Sequence, residues 1–141
     1  AWSIAEHLHA AGCELAFTFM GEALERRVRP LAESVGSKLI LPMNAQNDAE
    51  MDSVFARLKS EWGGLDYLIH SIAFANREDL EGRFIDTSRE GFLLSMDVSA
   101  YSLVALAKRA EPLMEGREAA VITLSYIGAT RVVPNYNVMG V

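Results

Sequence analysis

Cysteine is almost absent: Cys13 is the sole one in 141 residues. No intrachain disulfide can form, and this usage suits a reducing compartment such as the cytoplasm. Proline is scarce, at four residues, and no Pro/Gly-rich tract, repeat or low-complexity stretch marks a linker or an array. Positive charge is in deficit. Thirteen Lys plus Arg face 19 Asp plus Glu, a net charge of −6 that repels a nucleic-acid backbone and an anionic membrane alike. No run reaches the roughly 18 to 20 uninterrupted apolar residues of a membrane helix, because Lys108 and Arg109 break the best candidate. His7 and His9 lie two apart, on different helix faces, and no Cys or third His is spaced to complete a metal site; no metal is expected. The amino terminus lacks Met and the basic, apolar, small-residue succession of a signal peptide. It runs straight into helix-like Ala1-Trp2-Ser3-Ile4-Ala5-Glu6-His7-Leu8, so the expectation is a chain cut at both ends of a larger fold.

What is abundant is apolar surface. Half of the residues are hydrophobic and 23% are charged, enough for the core of one domain over residues 1–141 and too apolar for disorder. Gly12, Gly36 and the Gly63-Gly64 pair punctuate the sequence where helices should stop. They separate helices over 1–11, 21–35 and 47–62 from short apolar strands over Glu14–Phe19, Lys38–Met43 and Leu65–His70. Asn47-Asp48-Ala49-Glu50 fits a capping box, and Met51, Val54, Phe55, Leu58 and Trp62 recur at helical steps of three and four. After an irregular stretch, 71–87, Ser88 can cap a long helix toward Met114, kinked around Val98, and Ala119–Ser125 reads as a fourth strand. Cys13 directly follows the Gly12 stop and reads as an inert packed thiol opening the first strand. Helices alternating with apolar strands predict an α/β fold, a Rossmann-like doubly wound parallel sheet covered on both faces.

Open α/β sheets bind ligands at the carboxyl edges of their strands, which here means Met20, Asn44, Ser71 to Ala75, and Ser125-Tyr126. The last is the most informative. Leu124-Ser125-Tyr126 leads through Gly128 and Pro134 to Tyr136, placing two phenols around one loop. A phenol stays protonated at neutral pH and can donate a hydrogen bond to a developing oxyanion. His70, at a strand end, reads as a structural histidine, and Glu25-Arg26-Arg27-Val28-Arg29 as a solvated helical face.

Ser71-Ile72-Ala73-Phe74-Ala75 after Leu68-Ile69-His70, then Leu124-Ser125-Tyr126-Ile127-Gly128-Ala129, then Pro134-Asn135-Tyr136-Asn137-Val138-Met139-Gly140 together resemble the bacterial NADH-dependent enoyl-acyl carrier protein reductases. These form a divergent branch of the short-chain dehydrogenase/reductases. Glu14 to Phe19 is similar to the family's second strand, and Val98-Ser99-Ala100-Tyr101-Ser102 to the middle of its long interface helix. An ordinary short-chain dehydrogenase would show Asn-Asn-Ala-Gly after the third strand, and a lysine where Gly140 stands.

The resemblance implies an oxidoreductase of type II fatty-acid biosynthesis, and so of lipid metabolism. Hydride would pass from NADH to the β-carbon of a trans-2-enoyl thioester carried by acyl carrier protein. Tyr136 would stabilise the enolate, Tyr126 would be the second catalytic tyrosine, and the family's lysine would fall two residues beyond Val141. It further implies cofactor contacts at Met20, Asn44, Ala45, Ser71, Ile72, Ala73 and Leu124, with Ala75 bordering the acyl substrate. Met20 stands where the family often has a glutamine beside the adenine ribose, and Asn44-Ala45 where it has Asp-Val. No Arg or Lys occupies the Met20 turn, which favours NADH over NADPH although Arg26 and Arg27 are near in sequence. A homotetramer is implied when the protein is full length. Two alternatives stand beside this: a short-chain reductase acting on 3-ketoacyl thioesters, and an inactive fragment that acts only through its interface helix. The 141-residue chain alone is expected to be marginally stable, with uncovered sheet edges.

Overall fold

The computed structural model describes every residue from 1 to 141. The chain forms two compact units, Ala1–Ser60 and Glu61–Val141.

In the first unit, helix α1 (Trp2–Ala10) leads to strand β1 (Ala16–Phe19), helix α2 (Gly21–Ser34), strand β2 (Leu39–Pro42) and helix α3 (Asp48–Trp62), whose last turn enters the second unit. Gly12 stops α1 as its position suggests: its φ is +88°. The left-handed residue lets the Cys13 N–H reach Leu8 O at 2.9 Å and the Gly12 N–H reach His9 O at 2.9 Å, capping carbonyls that would otherwise be orphaned. Cys13 itself is half-buried and lies ahead of β1 rather than in it, because the cap occupies the residues before Ala16. Strands β1 and β2 pair in parallel with Phe19 opposite Pro42, and the Met43 N–H extends the ladder to Phe19 O at 2.8 Å. The core is built from Phe19, Ala32, Leu39, Met43, Met51, Val54, Phe55 and Leu58; the last four include the helical face that the three-and-four spacing of α3 predicts. Asn47 caps α3 by accepting from Ala49 N at 3.1 Å and Glu50 N at 3.3 Å.

In the second unit, strand β3 (Tyr67–His70) pairs in parallel with β4 (Ala120–Thr123), His70 opposite Thr123. Between them run two short 3₁₀ turns, then helix α4 (Arg89–Met96), a π-helical turn over Asp97–Tyr101, and helix α5 (Ser102–Met114). The kink expected near Val98 is this π turn: one extra residue is accommodated without breaking the rod. Ser88 caps α4 by accepting from Gly91 N at 2.9 Å. Ser102, Ala105, Leu106, Ala110 and Leu113 form the buried stripe of α5. The start of the sheet is pinned by the Leu65 N–H to Leu113 O at 2.9 Å. A bidentate pair of Arg117 with Asp66, at 2.8 and 3.0 Å, adds to this and holds the Asp66 carboxyl below the usual carboxylate range.

One expectation changes. Strand β4 is exposed along all four residues and Tyr67 is exposed on β3, so these strands are not covered on both faces; their unit holds a two-stranded sheet. The helical run Arg89–Met114, 26 residues with a stretch of mean hydropathy 1.3, is long and apolar enough to cross a membrane by length and composition. Asp97, Lys108 and Arg109 still interrupt it, so it holds no unbroken apolar run of that length, and the core helix of a soluble protein meets the same test.

Candidate functional site

In the first unit the carboxyl edge of the β1–β2 pair presents Met20 and Asn44 on neighbouring strand ends. Met20 is half-exposed, in extended backbone, and its side chain makes no cap bond to α2. Asn44 is held from two sides. Its Oδ1 accepts from Gln46 N at 2.9 Å, and its N–H donates to Glu50 Oε2 at 2.7 Å. Glu50 therefore reaches back past Asn47, whose Nδ2 it also accepts at 2.9 Å. One lone pair of Oδ1 is spent in the turn, so the side chain presents its second lone pair and its amide N–H₂. Ala45 is buried, so only its backbone can meet a ligand.

In the second unit the segments leaving β3 and β4 run side by side, Leu124 N–H bonding His70 O at 3.2 Å. Ser71 and Ala73 are exposed, and the backbone N–H groups of Ser71, Ile72 and Ala73 make no hydrogen bond within the fold. Small side chains and unpaired donors at a strand's carboxyl edge fit the flat face and polar edge of a dinucleotide. Beyond this segment Ala75 is half-buried.

The Tyr126 and Tyr136 rings meet with centroids 4.5 Å apart and planes at 38°. Glycine makes this approach possible. A Cβ on Gly128 would lie 2.8 Å from Tyr126 Cδ1, and one on Gly140 would lie 3.0 Å from Gly128 O. A side chain at Gly128 would press on the Tyr126 ring within its own loop, and one at Gly140 would crowd the approach of the two tyrosine loops. Tyr136 sits between Asn135 and Asn137, both at positive φ (58° and 27°), a conformation asparagine tolerates better than most residues. Asn137 Nδ2 donates to Glu81 O at 3.1 Å and ties the tyrosine loop to the 81–82 turn. Tyr136 lines a cleft of about 380 Å³ with Phe84, Gly128, Val132 and Val133, mostly apolar, with Thr130, Arg131 and Asn137 as its other polar side chains. Sequence reasoning placed both tyrosines but missed Phe84 and Asn137. They lie some fifty residues away in sequence or inside a motif read only for its tyrosine.

Comparison with known proteins agrees with this geometry. The enoyl-(acyl carrier protein) reductase family matches residues 1–141. The chain belongs to that family. Among characterised members, the NADH-named enoyl-[acyl-carrier-protein] reductase of Aquifex aeolicus is 48% identical over 141 residues, which are 100% of this chain and 52% of that protein. The crystal structure of the Aquifex reductase superposes with a TM-score of 0.95 over 99% of this chain and 55% of its own. The Anaplasma phagocytophilum reductase in complex with NAD gives a TM-score of 0.93 at 46% identity, covering 99% and 53%. The Bacillus cereus reductase, solved with NADP+ and indole naphthyridinone, gives 0.89 at 47% identity, covering 99% and 55%. The reductase-family chain thus spans about half the length of the curated relatives it matches. Its fold is the Rossmann-like α/β fold of these reductases.

Proposed function

We propose that the protein is a cytoplasmic NADH-dependent enoyl-acyl carrier protein reductase of type II fatty-acid synthesis, acting on trans-2-enoyl thioesters. The observation that carries this reading is the Tyr126–Tyr136 ring pair, with Tyr136 lining a mostly apolar cleft, in the unit whose β3 carboxyl edge carries open backbone donors. NADH, when bound, would supply hydride to the β-carbon of the enoyl thioester. Ser71, Ile72, Ala73 and Leu124 would hold its nicotinamide half, and Met20, Asn44 and Ala45 its adenosine half. The Tyr136 hydroxyl donates to the thioester carbonyl oxygen, whose charge grows as the enolate forms, so the bond is strongest where it lowers the barrier. Tyr126 packs on that ring and fixes its direction. The apolar walls at Phe84, Val132 and Val133 take the acyl chain.

Replacing Tyr136 by Phe in the full-length chain should lower kcat for a trans-2-enoyl thioester by roughly one to two orders of magnitude, with the NADH dissociation constant unchanged. Full retention of kcat would remove Tyr136 from the mechanism. Met20 lacks the charge that a 2′-phosphate needs, so KM for NADPH should exceed that for NADH. The NADP+ complex of the Bacillus cereus relative makes this comparison discriminating. The full-length protein is proposed to be a homotetramer through the helical run Arg89–Met114, where Leu93, Tyr101 and Val104 are all more than half exposed.

A further inference from the structure

The π turn at Asp97–Tyr101 and the first residue of α5 touch the cofactor-side segment at two points, one on each side of Ser71–Ala73. At the first, Ser99 Oγ accepts from Phe74 N at 3.0 Å and donates to Phe74 O at 3.1 Å, so one hydroxyl satisfies both polar groups of one residue. At the second, His70 is almost fully buried, with Nε2 2.8 Å from Ser102 Oγ and Nδ1 3.1 Å from Thr123 Oγ1. Ser102 has a single hydroxyl proton and gives it to Val98 O at 2.7 Å. It can only accept from His70, so Nε2 carries the imidazole proton and Nδ1 accepts from Thr123. The histidine thereby ties β3, β4 and the start of α5 together. Between the clamps, Ser71 to Ala73 have no backbone partner of their own. A segment with unpaired backbone keeps its direction only if its ends are fixed.

We propose that His70 and Ser99 are positioning residues for the reduction, fixing both ends of the Ser71–Ala73 segment against the π turn and the start of α5. The inference rests on the reductase reading above. Neither side chain touches the reacting atoms; each acts through the backbone that would border the nicotinamide. An unbroken α-helix would rotate Ser99 and Ser102 relative to each other by the one residue that the π turn inserts, so the two clamps depend on that insertion.

The test uses the full-length protein and compares Ser99→Ala, Ser99→Thr, His70→Leu and His70→Gln. Ser99→Thr keeps the hydroxyl and His70→Gln keeps a donor toward Ser102. Amide hydrogen exchange should accelerate about tenfold at Phe74, whose N–H bonds Ser99, in Ser99→Ala, and at Leu124, whose N–H bonds His70 O, in His70→Leu. Their kcat for a trans-2-enoyl thioester should fall by about tenfold, more than KM rises. The Thr and Gln variants should recover most of both. The double variant Ser99→Ala/His70→Leu should lose less than the product of the two single losses, since one freed end already loosens the segment. Unchanged exchange and unchanged kcat in Ser99→Ala would overturn the proposal. So would strictly multiplicative losses with no recovery by Thr or Gln. If Ser99→Ala fails to fold, Ser99→Cys, which keeps a weak donor, replaces it with the same expectations. A wild-type protein that reduces no enoyl thioester sinks the reductase reading separately, and the exchange arm still decides the clamp.

Discussion

His70 lost its solvent on folding and gained two hydroxyl neighbours but no carboxylate, so burial pushes its pKa below the ordinary 6.5. The sign of the consequence follows from which state binds the proton. Between the folded value and 6.5 the unfolded chain holds the extra proton, so stability is fully present above that pH and is lost as pH falls beneath it. The melting temperature should therefore decline more steeply as pH falls below 6.5 in the wild type than in His70→Gln, and parallel declines would contradict the assignment. At the same scale, the tyrosines were legible because their spacing around Gly128 and Pro134 is local in sequence. The partner bonds of His70 were not, since Ser102 and Thr123 lie 32 and 53 residues away. Reading His70 as a structural histidine was right as far as burial goes, but burial alone does not say which segments a ring joins.

Among the elements, helix α4 depends on a glycine that no motif announces. Asp79 is buried and accepts from Ser88 N and Ser88 Oγ, both at 3.1 Å, while Ser88 caps the helix through Gly91 N. A Cβ on Gly91 would collide with the Asp79 carboxylate. Gly91→Ala should destabilise the protein by about 2–3 kcal/mol by forcing the carboxylate out of its cap, measured by denaturant unfolding; a loss below about 0.5 kcal/mol, the ordinary surface range, would mean the carboxylate moves aside freely. Asn47→Ala should remove about 1 kcal/mol by uncapping α3. The capping boxes and glycine stops were readable because they are contacts within a few residues. The strand ends were shorter than the apolar runs suggested, Tyr67–His70 instead of Leu65–His70. Leu65 spends its N–H on Leu113 and Asp66 its carboxylate on Arg117, and neither is visible without the fold.

For the molecule as a whole, the strand pairing follows from winding order. In the doubly wound order 3-2-1-4-5-6, strand 1 precedes the first helix. A sequence read from that helix onward supplies a 3-2 pair and a 4-5 pair, and β1–β2 and β3–β4 are the pairs observed. The class of fold was thus legible from alternation alone, whereas the exposure of β4 was not. The exposed apolar positions of the Arg89–Met114 run belong to the same scale: if they form the proposed tetramer contact, Leu93→Lys with Val104→Lys should give smaller species than the full-length wild type in sedimentation, and an unchanged assembly state would contradict that contact.

The most direct measurement is NADH consumption by the full-length protein with a trans-2-enoyl thioester and, in parallel, a 3-ketoacyl thioester of equal length. Turnover of the enoyl substrate with little or none of the ketoacyl one is the predicted result. Preference for the ketoacyl thioester, or NADH binding without turnover of either, would contradict the account.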